Sequence, residues 1–308
     1  MGVFVFLPLV LPLTAWPIAR LAEQHLHPRT ATRLLAGVSA LMALCSTVCL
    51  ALIMVVGTAQ LPGNPLPDSW SDPEVREAVP YDEVVGKAAI PALIAVAVAA
   101  ARTVWRHHRL RRRAVRALEG LPPSPVAVLP DEEPYAYALP GGRGRIVVST
   151  AMLARLDSRE RRALFAHERA HLAAGHHRHL LAAQLSARAN PFLRPLYTAV
   201  AYSAERWADE EAAEVIGNRR VMARAVGKAA LISRGTPSPT LAGFAAGPVP
   251  RRVAALLGPV PSARAWPPAF TVAGAAIWTA AAGATASALS SANSAVALFL
   301  VLKAATPL

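Results

Sequence analysis

Cysteine, lysine and charged residues in general are scarce in this 308-residue sequence. Its two cysteines, Cys45 and Cys49, lie one helical turn apart in an apolar run, so we expect packing residues and exclude a disulfide framework or a cysteine metal site. Only 17% of the residues are charged, whereas 54% are hydrophobic and the mean hydropathy is +0.35. Arginine far outnumbers lysine, which together with abundant alanine suggests a GC-rich bacterial genome.

Long apolar runs predict an integral membrane protein with about four transmembrane helices. Three stretches, 3–19, 34–59 and 265–302, contain no charge, and a fourth, 88–101, reaches Trp105 if Arg102 snorkels. About 20 apolar residues span a bilayer, so the first three qualify as spans, and residues 84–86 can lengthen the fourth to a similar length. The last stretch is too long for one simple span, and we assign it one span near 270–290 plus an apolar tail.

Positive charge sets the expected orientation. Three arginines occupy the loop 20–33 and six occupy the segment 106–116, whereas the loop 60–87 holds six acids and two bases. Cytoplasmic loops collect arginine and lysine, so the segment after the third span is expected in the cytoplasm and both termini outside. No basic region precedes the first span, which argues against a cleaved signal peptide.

The net charge of +13 then favours contact with anionic lipid, and no nucleic-acid partner is expected.

The pentapeptide His-Glu-Arg-Ala-His at 167–171 contains candidate metal ligands and a candidate catalytic base. A capping-box spacing from Asp157 and an uninterrupted run to 174 predict a helix. On it His167 and His171 are one turn apart and face one way, as two ligands of a single metal ion. Glu168 then lies beside the metal, placed to take a proton from a bound water. This pattern predicts a Zn²⁺ hydrolase with Glu168 as its catalytic residue.

A catalytic zinc needs a third protein ligand, and Glu205 is the candidate. After the break at 190–195, an apolar run predicts a second helix near 195–216. Glu205 and Asp209 again share one face of that helix. Glu205 can bind the metal while Asp209 accepts a hydrogen bond from a ligand imidazole.

His177 is the rival third ligand. It lies ten residues after His167, the spacing of the third histidine in metzincins. Those enzymes require glycine where this chain has Ala174, and Gly175 comes one residue late. His176 and His179 are expected to be solvated at a helix end, where a cation is favoured.

The two motifs, set among membrane spans, resemble the membrane-embedded gluzincin metallopeptidases. These include the HtpX-type and CAAX-prenyl proteases and the BlaR/MecR-type sensor peptidases. The segments 135–141 and 145–150 are similar to the strand pair before the metal helix in those families, and 250–256 is similar to their later Pro-x-x-Arg segment. The histidine that often precedes that proline is absent, because this chain has Val249. The resemblance covers residues 84–258 and implies a zincin-like catalytic domain.

The expected fold is α+β, a helix-rich catalytic domain with a small β-sheet attached to the membrane spans. Short strands are predicted at 126–129, 135–139 and 145–148, a further helix at 219–234, and at 235–250 a flexible loop that could serve as a lid. The predicted domains are a membrane region with three spans (1–105), a cytoplasmic peptidase domain (106–268), and a C-terminal span with its tail (269–308).

The strand at 145–150 is predicted to lie at the sheet edge and to bind substrate. Its residues Ile146, Val147 and Val148 are strand formers, and glycines just before them allow close approach. An extended peptide could add there through main-chain hydrogen bonds. The alternative is a strand covered by its neighbours that serves only the core.

Together these features predict a membrane-bound zinc endopeptidase acting on a protein or peptide substrate. The alternative is a signal-transducing receptor of the BlaR/MecR type whose cytoplasmic peptidase cleaves a transcriptional repressor. Its short acidic loop at 60–87 could not form a sensor domain, so that function would need a regulatory protein partner or the spans themselves. The sequence leaves the substrate unspecified.

Overall fold

The computed structural model describes residues 2–64, 66–76, 82–142, 144–233, 248–261 and 270–306. Four helical segments in this part are long and apolar enough to cross a membrane, namely Phe4–His25, Pro28–Ala59, Val84–Arg116 and Ile277–Ala305. The chain is an α+β membrane protein, with most of its described residues in helices and one small sheet.

The first span is irregular because prolines interrupt it. Short 3₁₀ turns at Gly2–Phe6 and Leu11–Thr14 alternate with helices α1 (Leu7–Val10) and α2 (Ala15–His25). Proline lacks the N–H group that an α-helix interior needs, so short 3₁₀ turns replace α-helical geometry near these residues. The segment is therefore not one regular helix, and the prolines at which a kink is expected lie within it.

The second span, α3 (Pro28–Ala59), is the centre of the membrane bundle. Its partner α5 (Asp82–Arg116) approaches so closely that a Cβ on Gly57 would lie 2.2 Å from the backbone of Gly86. Only glycine permits such contact between helix backbones. The helix α5 also runs unbroken through the predicted domain boundary at 105, so the third span continues without a linker into the arginine-rich segment.

The last span is longer than the sequence predicted. Helix α12 runs continuously over Val272–Ala305, where a span at 270–290 with a separate tail was expected. Small residues fill its middle, and Ser291 contacts Cys49 on α3 with an oxygen–sulfur distance of 3.4 Å. Residues 307–308 lie outside the described part.

A three-stranded sheet comes after α5 in the chain. Its strands β1 (Val126–Leu129), β2 (Ala136–Leu139) and β3 (Arg145–Ser149) have the order β1–β3–β2. The first pairs in parallel with β3, and β2 pairs with it in antiparallel register, with Tyr137 opposite Val147. All three predicted strands are confirmed to within a residue of their bounds.

The predicted position of β3 at the sheet edge is wrong. Strands on both sides occupy its backbone hydrogen bonds, and Ile146, Val147 and Val148 are almost fully buried. An uninterrupted apolar run is typical of a strand covered on both faces, so these side chains belong to the core. The edge strand that packs against the helix Ser158–Ala174 is β2.

Helices make up most of the chain that follows the sheet. After the short α4 (Pro73–Arg76), which precedes α5, they are α6 (Thr150–Arg155), α7 (Ser158–Ala174), α8 (His176–Ala189), α9 (Arg194–Ile216), α10 (Arg219–Ile232) and α11 (Val249–Leu257). Leu164 of α7 and Met222 of α10 share one core with Leu256 of α11. A second core joins α8 and α9 to α3, so these helices pack directly on the membrane bundle. Most of the predicted loop at 235–250 lies outside the described residues.

Candidate metal centre

Helix α7 is fixed at both ends by its own sequence. Asp157 accepts hydrogen bonds from the backbone N–H groups of Arg159 and Glu160, and the Glu160 carboxylate accepts one from the Asp157 N–H. This capping box was predicted and satisfies the first turn. Gly175 ends the helix at φ +62°, a conformation that glycine adopts without strain. The helix therefore holds its buried face in a defined orientation.

Three side chains converge on one point below that face. The Nε2 atoms of His167 and His171 are 3.0 Å apart, and they lie 3.5 and 3.4 Å from the two carboxylate oxygens of Glu205 on α9. All three side chains are buried. Tetrahedral ligands about 2.0–2.1 Å from a zinc ion are roughly 3.3 Å from one another. The spacing and the two-imidazole, one-carboxylate chemistry therefore fit a catalytic zinc site.

Asp209 lies behind His167, as the spacing on α9 predicted. Its Oδ1 is 3.1 Å from His167 Nδ1, on the side of the ring opposite the convergence point. Burial disfavours the imidazolium, but Asp209 and Glu205 outweigh it and raise the pKa of His167 to about 9. The carboxylates thus create a field that favours positive charge at this position.

Arg252 is the residue that links Asp209 to Glu205. It comes from α11, is completely buried, and donates to Asp209 through Nε at 2.8 Å and Nη2 at 2.7 Å. Its Nη1 lies 2.9 Å from Glu205 Oε2. Burial alone would raise the pKa of either carboxyl group, but the Arg252 guanidinium holds the pKa of both below its usual range. Both acids are therefore ionised without any metal.

One sequence signal pointed to Arg252, since it lies in the 250–256 segment that resembles the Pro-x-x-Arg part of the gluzincins. No role was assigned to it from the sequence. Arg252 forms a bidentate pair with one carboxylate and also contacts a second. Such an arginine is well suited to fix the relative positions of the two carboxylates.

Glu168 is buried next to the three donor side chains. Neither of its carboxylate oxygens makes a hydrogen bond of normal geometry within the described residues. Burial raises its pKa to about 7, against the opposing effects of His167, the Ala138 backbone amide and Arg252. A carboxylate whose pKa lies near neutrality can both accept and return a proton at physiological pH.

His176 corrects a second expectation from the sequence. It was expected to be solvated, but it is fully buried, and its Nδ1 lies 2.7 Å from His171 Nδ1. Gly175 turns the chain so that α8 starts with His176 facing back toward α7. Burial lowers the pKa of His176 to about 3, with further repulsion from His167. A neutral His176 can accept a hydrogen bond from the His171 Nδ1–H group and so leave His171 Nε2 free to bind a metal.

The rival ligand His177 lies apart from this centre. It is half-buried, and the group of described histidine, cysteine and acidic side chains that could hold a metal contains His167, His171 and Glu205 without it. The geometry thus favours Glu205 over His177 as the third donor.

One of three comparisons with known proteins gave a match. No match was found among curated proteins or among solved structures. Residues 100–192, less than a third of the chain, match the family model described as Peptidase family M48. The matched region contains α7 but ends before α9, so the roles of Glu205 and Asp209 rest on the distances given above. The match agrees with the resemblance seen in the sequence: over these residues the chain is similar to Peptidase family M48, a membrane-associated zinc metallopeptidase family of the HtpX and CAAX protease type.

Proposed function

We propose that this protein is a membrane-bound, zinc-dependent endopeptidase. The observation that carries the proposal is the juxtaposition of the buried Glu168 carboxylate and three buried donors at zinc-ligand spacing. His167, His171 and Glu205 would hold the ion. Three protein ligands leave a position for water, as a catalytic zinc site requires.

The chemistry divides between the metal and this chain's residues. Zinc, when bound, supplies a water of lowered pKa and polarises the scissile carbonyl. Glu168 accepts the proton of the attacking water and delivers it to the departing amine. Asp209 and Arg252 hold His167 and Glu205 in place, and His176 does the same for His171. Because these supporting contacts are buried and hydrogen-bonded, the ligands are positioned before the metal binds.

The substrate binds along β2 in this proposal, in place of the β3 strand expected from the sequence. The Tyr135 carbonyl accepts from the Ser149 N–H. Along an antiparallel strand, successive residues direct their N–H and C=O groups to opposite sides. Tyr137, two residues after Tyr135, therefore also faces β3. The N–H and C=O groups of Ala136 and Ala138 face the open edge. Ala138 is also the residue whose amide approaches Glu168. An extended peptide added at this edge would therefore pass the proposed catalytic base, with chain continuing on both sides of the cleaved bond.

The peptidase part is proposed to face the cytoplasm of a bacterial cell, with four membrane passes. The six arginines of 106–116 come directly after the third span and support this orientation. Reporter domains fused after Arg116 and inserted in the loop at 60–76 test it. Cytoplasmic activity from the loop insertion together with external activity from the Arg116 fusion would reverse the assignment.

Substrate trapping tests the function itself. Proteomics of cells carrying wild type or Glu168→Gln should show proteins whose fragments disappear and whose full-length forms accumulate with the variant. Glu214→Gln, which changes an exposed glutamate on α9, serves as the matched control. A single accumulating repressor would favour the signalling alternative, whereas several membrane or secreted proteins would favour a processing or quality-control protease. If all strains contained the same full-length proteins and fragments, both the signalling and the processing or quality-control functions would be contradicted.

A further inference from the structure

The turn between α8 and α9 is bonded to the membrane bundle, although neither helix is among the four candidate spans. At this turn Asn190 is buried and its side-chain amide donates to Ser46 Oγ at 3.1 Å. The same Ser46 oxygen lies 2.7 Å from the Pro8 carbonyl in the first span. The turn is thus docked between two membrane helices.

The depth of Ser46 is set by how the spans pack. Gly57, near the end of α3, touches Gly86, near the start of α5. Because the two helices also pack along their length, they run in opposite directions. The first arginine on α5, Arg102, is sixteen residues beyond Gly86, a position level with Leu41 on α3. Ser46 lies five residues beyond Leu41, toward the apolar middle of α3. At a rise of 1.5 Å per residue, it is about 7–8 Å deeper in the membrane than the level of Arg102. The turn therefore reaches below the surface of the hydrocarbon layer.

The exposed side chains of the turn suit that depth. Phe192 at the tip is 53% exposed. Arg188 and Arg194 are exposed on either side of it, close enough to the boundary for their guanidinium groups to reach it. The sequence from 169 to 204 contains no acidic residue. An exposed aromatic ring flanked by arginines, with no acid nearby, is the pattern of a segment in contact with anionic lipid.

We propose that the α8–α9 turn, residues 188–194, is inserted into the lipid leaflet on the arginine-rich side of the membrane. The Phe192 ring lies among acyl chains, and Arg188 and Arg194 contact lipid phosphates. The turn thereby contacts the membrane in addition to the four candidate spans of the described residues. This assignment rests on packing and charge and is independent of the chemistry at the metal centre.

Spin labelling measures the insertion directly. In a chain with Cys45 and Cys49 changed to alanine, nitroxides would be attached singly at Phe192→Cys, Leu44→Cys and Val215→Cys, in vesicles of phosphatidylethanolamine and phosphatidylglycerol. Leu44 is 61% exposed on a span, and Val215 is 76% exposed near the far end of α9, so they are lipid and water controls. The collision rate of the label at 192 with oxygen should be as high as that of the label at 44. Its collision rate with a water-soluble nickel chelate should be much lower than that of the label at 215.

A nickel collision rate at 192 equal to that at 215 would overturn the proposal. Footprinting of the unmodified chain covers the case in which the cysteine variants do not fold. In the same vesicles, a lipid-soluble carbene reagent should label the peptide containing Phe192, and a water-soluble carbene reagent should spare it. Labelling by the aqueous reagent alone would contradict insertion, and protection from both reagents would show that protein, such as a second copy of the chain, covers the turn instead.

Discussion

Nδ1 of His176 lies 2.7 Å from Nδ1 of His171, and both rings are buried. This contact fixes the tautomer of His171, because one nitrogen must donate and the other accept. With His176 as acceptor, the His171 proton stays on Nδ1 and its Nε2 lone pair faces the other two donors. A helix-end histidine thereby becomes part of the metal centre.

His176→Ala should therefore weaken metal binding while leaving the fold intact. Loss of a partner behind a metal ligand typically lowers affinity about 10–100-fold. Competition with a zinc chelator measures the change in detergent-purified protein. His177→Ala is the neighbouring control and should bind as wild type does, and His176→Asn, which retains an acceptor, should recover part of the affinity. Equal affinities for His176→Ala and wild type would show that the contact has no such role.

Arg252→Ala should destabilise the protein strongly. The change leaves Asp209 and Glu205 buried without their cation, and removal of one partner of a buried ion pair costs about 3–5 kcal/mol. Chemical unfolding in detergent measures this loss. The adjacent Arg251 is half exposed and pairs with a single carboxylate, that of Glu23, so Arg251→Ala should cost less than Arg252→Ala. Similar losses in the two variants would contradict the role given to Arg252.

The identity of the third ligand is tested by metal content. Glu205→Ala and His171→Ala should each lose bound zinc after dialysis, because two remaining donors hold the ion weakly. His177→Ala should retain it. Zinc kept in Glu205→Ala and lost in His177→Ala would restore the metzincin-like alternative.

Features that depend on local spacing were predictable from the sequence. The capping box, the i and i+4 pairs on α7 and α9, and the three short strands all depend on neighbours in the chain. Arg252 lies 43 residues beyond Asp209, and only tertiary packing brings them together. His176 was misjudged because the turn at Gly175 reverses its expected direction. The order of the sheet was missed because β1 pairs in parallel with β3, although the unbroken apolar run of β3 was a usable sign of a central strand.

Ala138→Pro should abolish cleavage without loss of zinc. Proline removes the outward N–H of β2 that the proposal assigns to the substrate and to the surroundings of Glu168. Ala138→Val keeps that N–H and is the control at the same position. Peptide cleavage and metal content should be measured on both variants. If the proline variant binds zinc and cleaves at the wild-type rate, substrate does not pair with β2.

The most direct test of the proposed zinc peptidase mechanism is to compare Glu168→Gln with wild type for bound zinc and for hydrolysis of an unfolded protein such as casein. The amide keeps the shape of the side chain but cannot accept the proton, and the metal donors are unchanged. Loss of a catalytic base costs on the order of a hundredfold or more in rate. We predict full zinc content with that loss of cleavage, and cleavage at the wild-type rate by the zinc-loaded variant would contradict the mechanism.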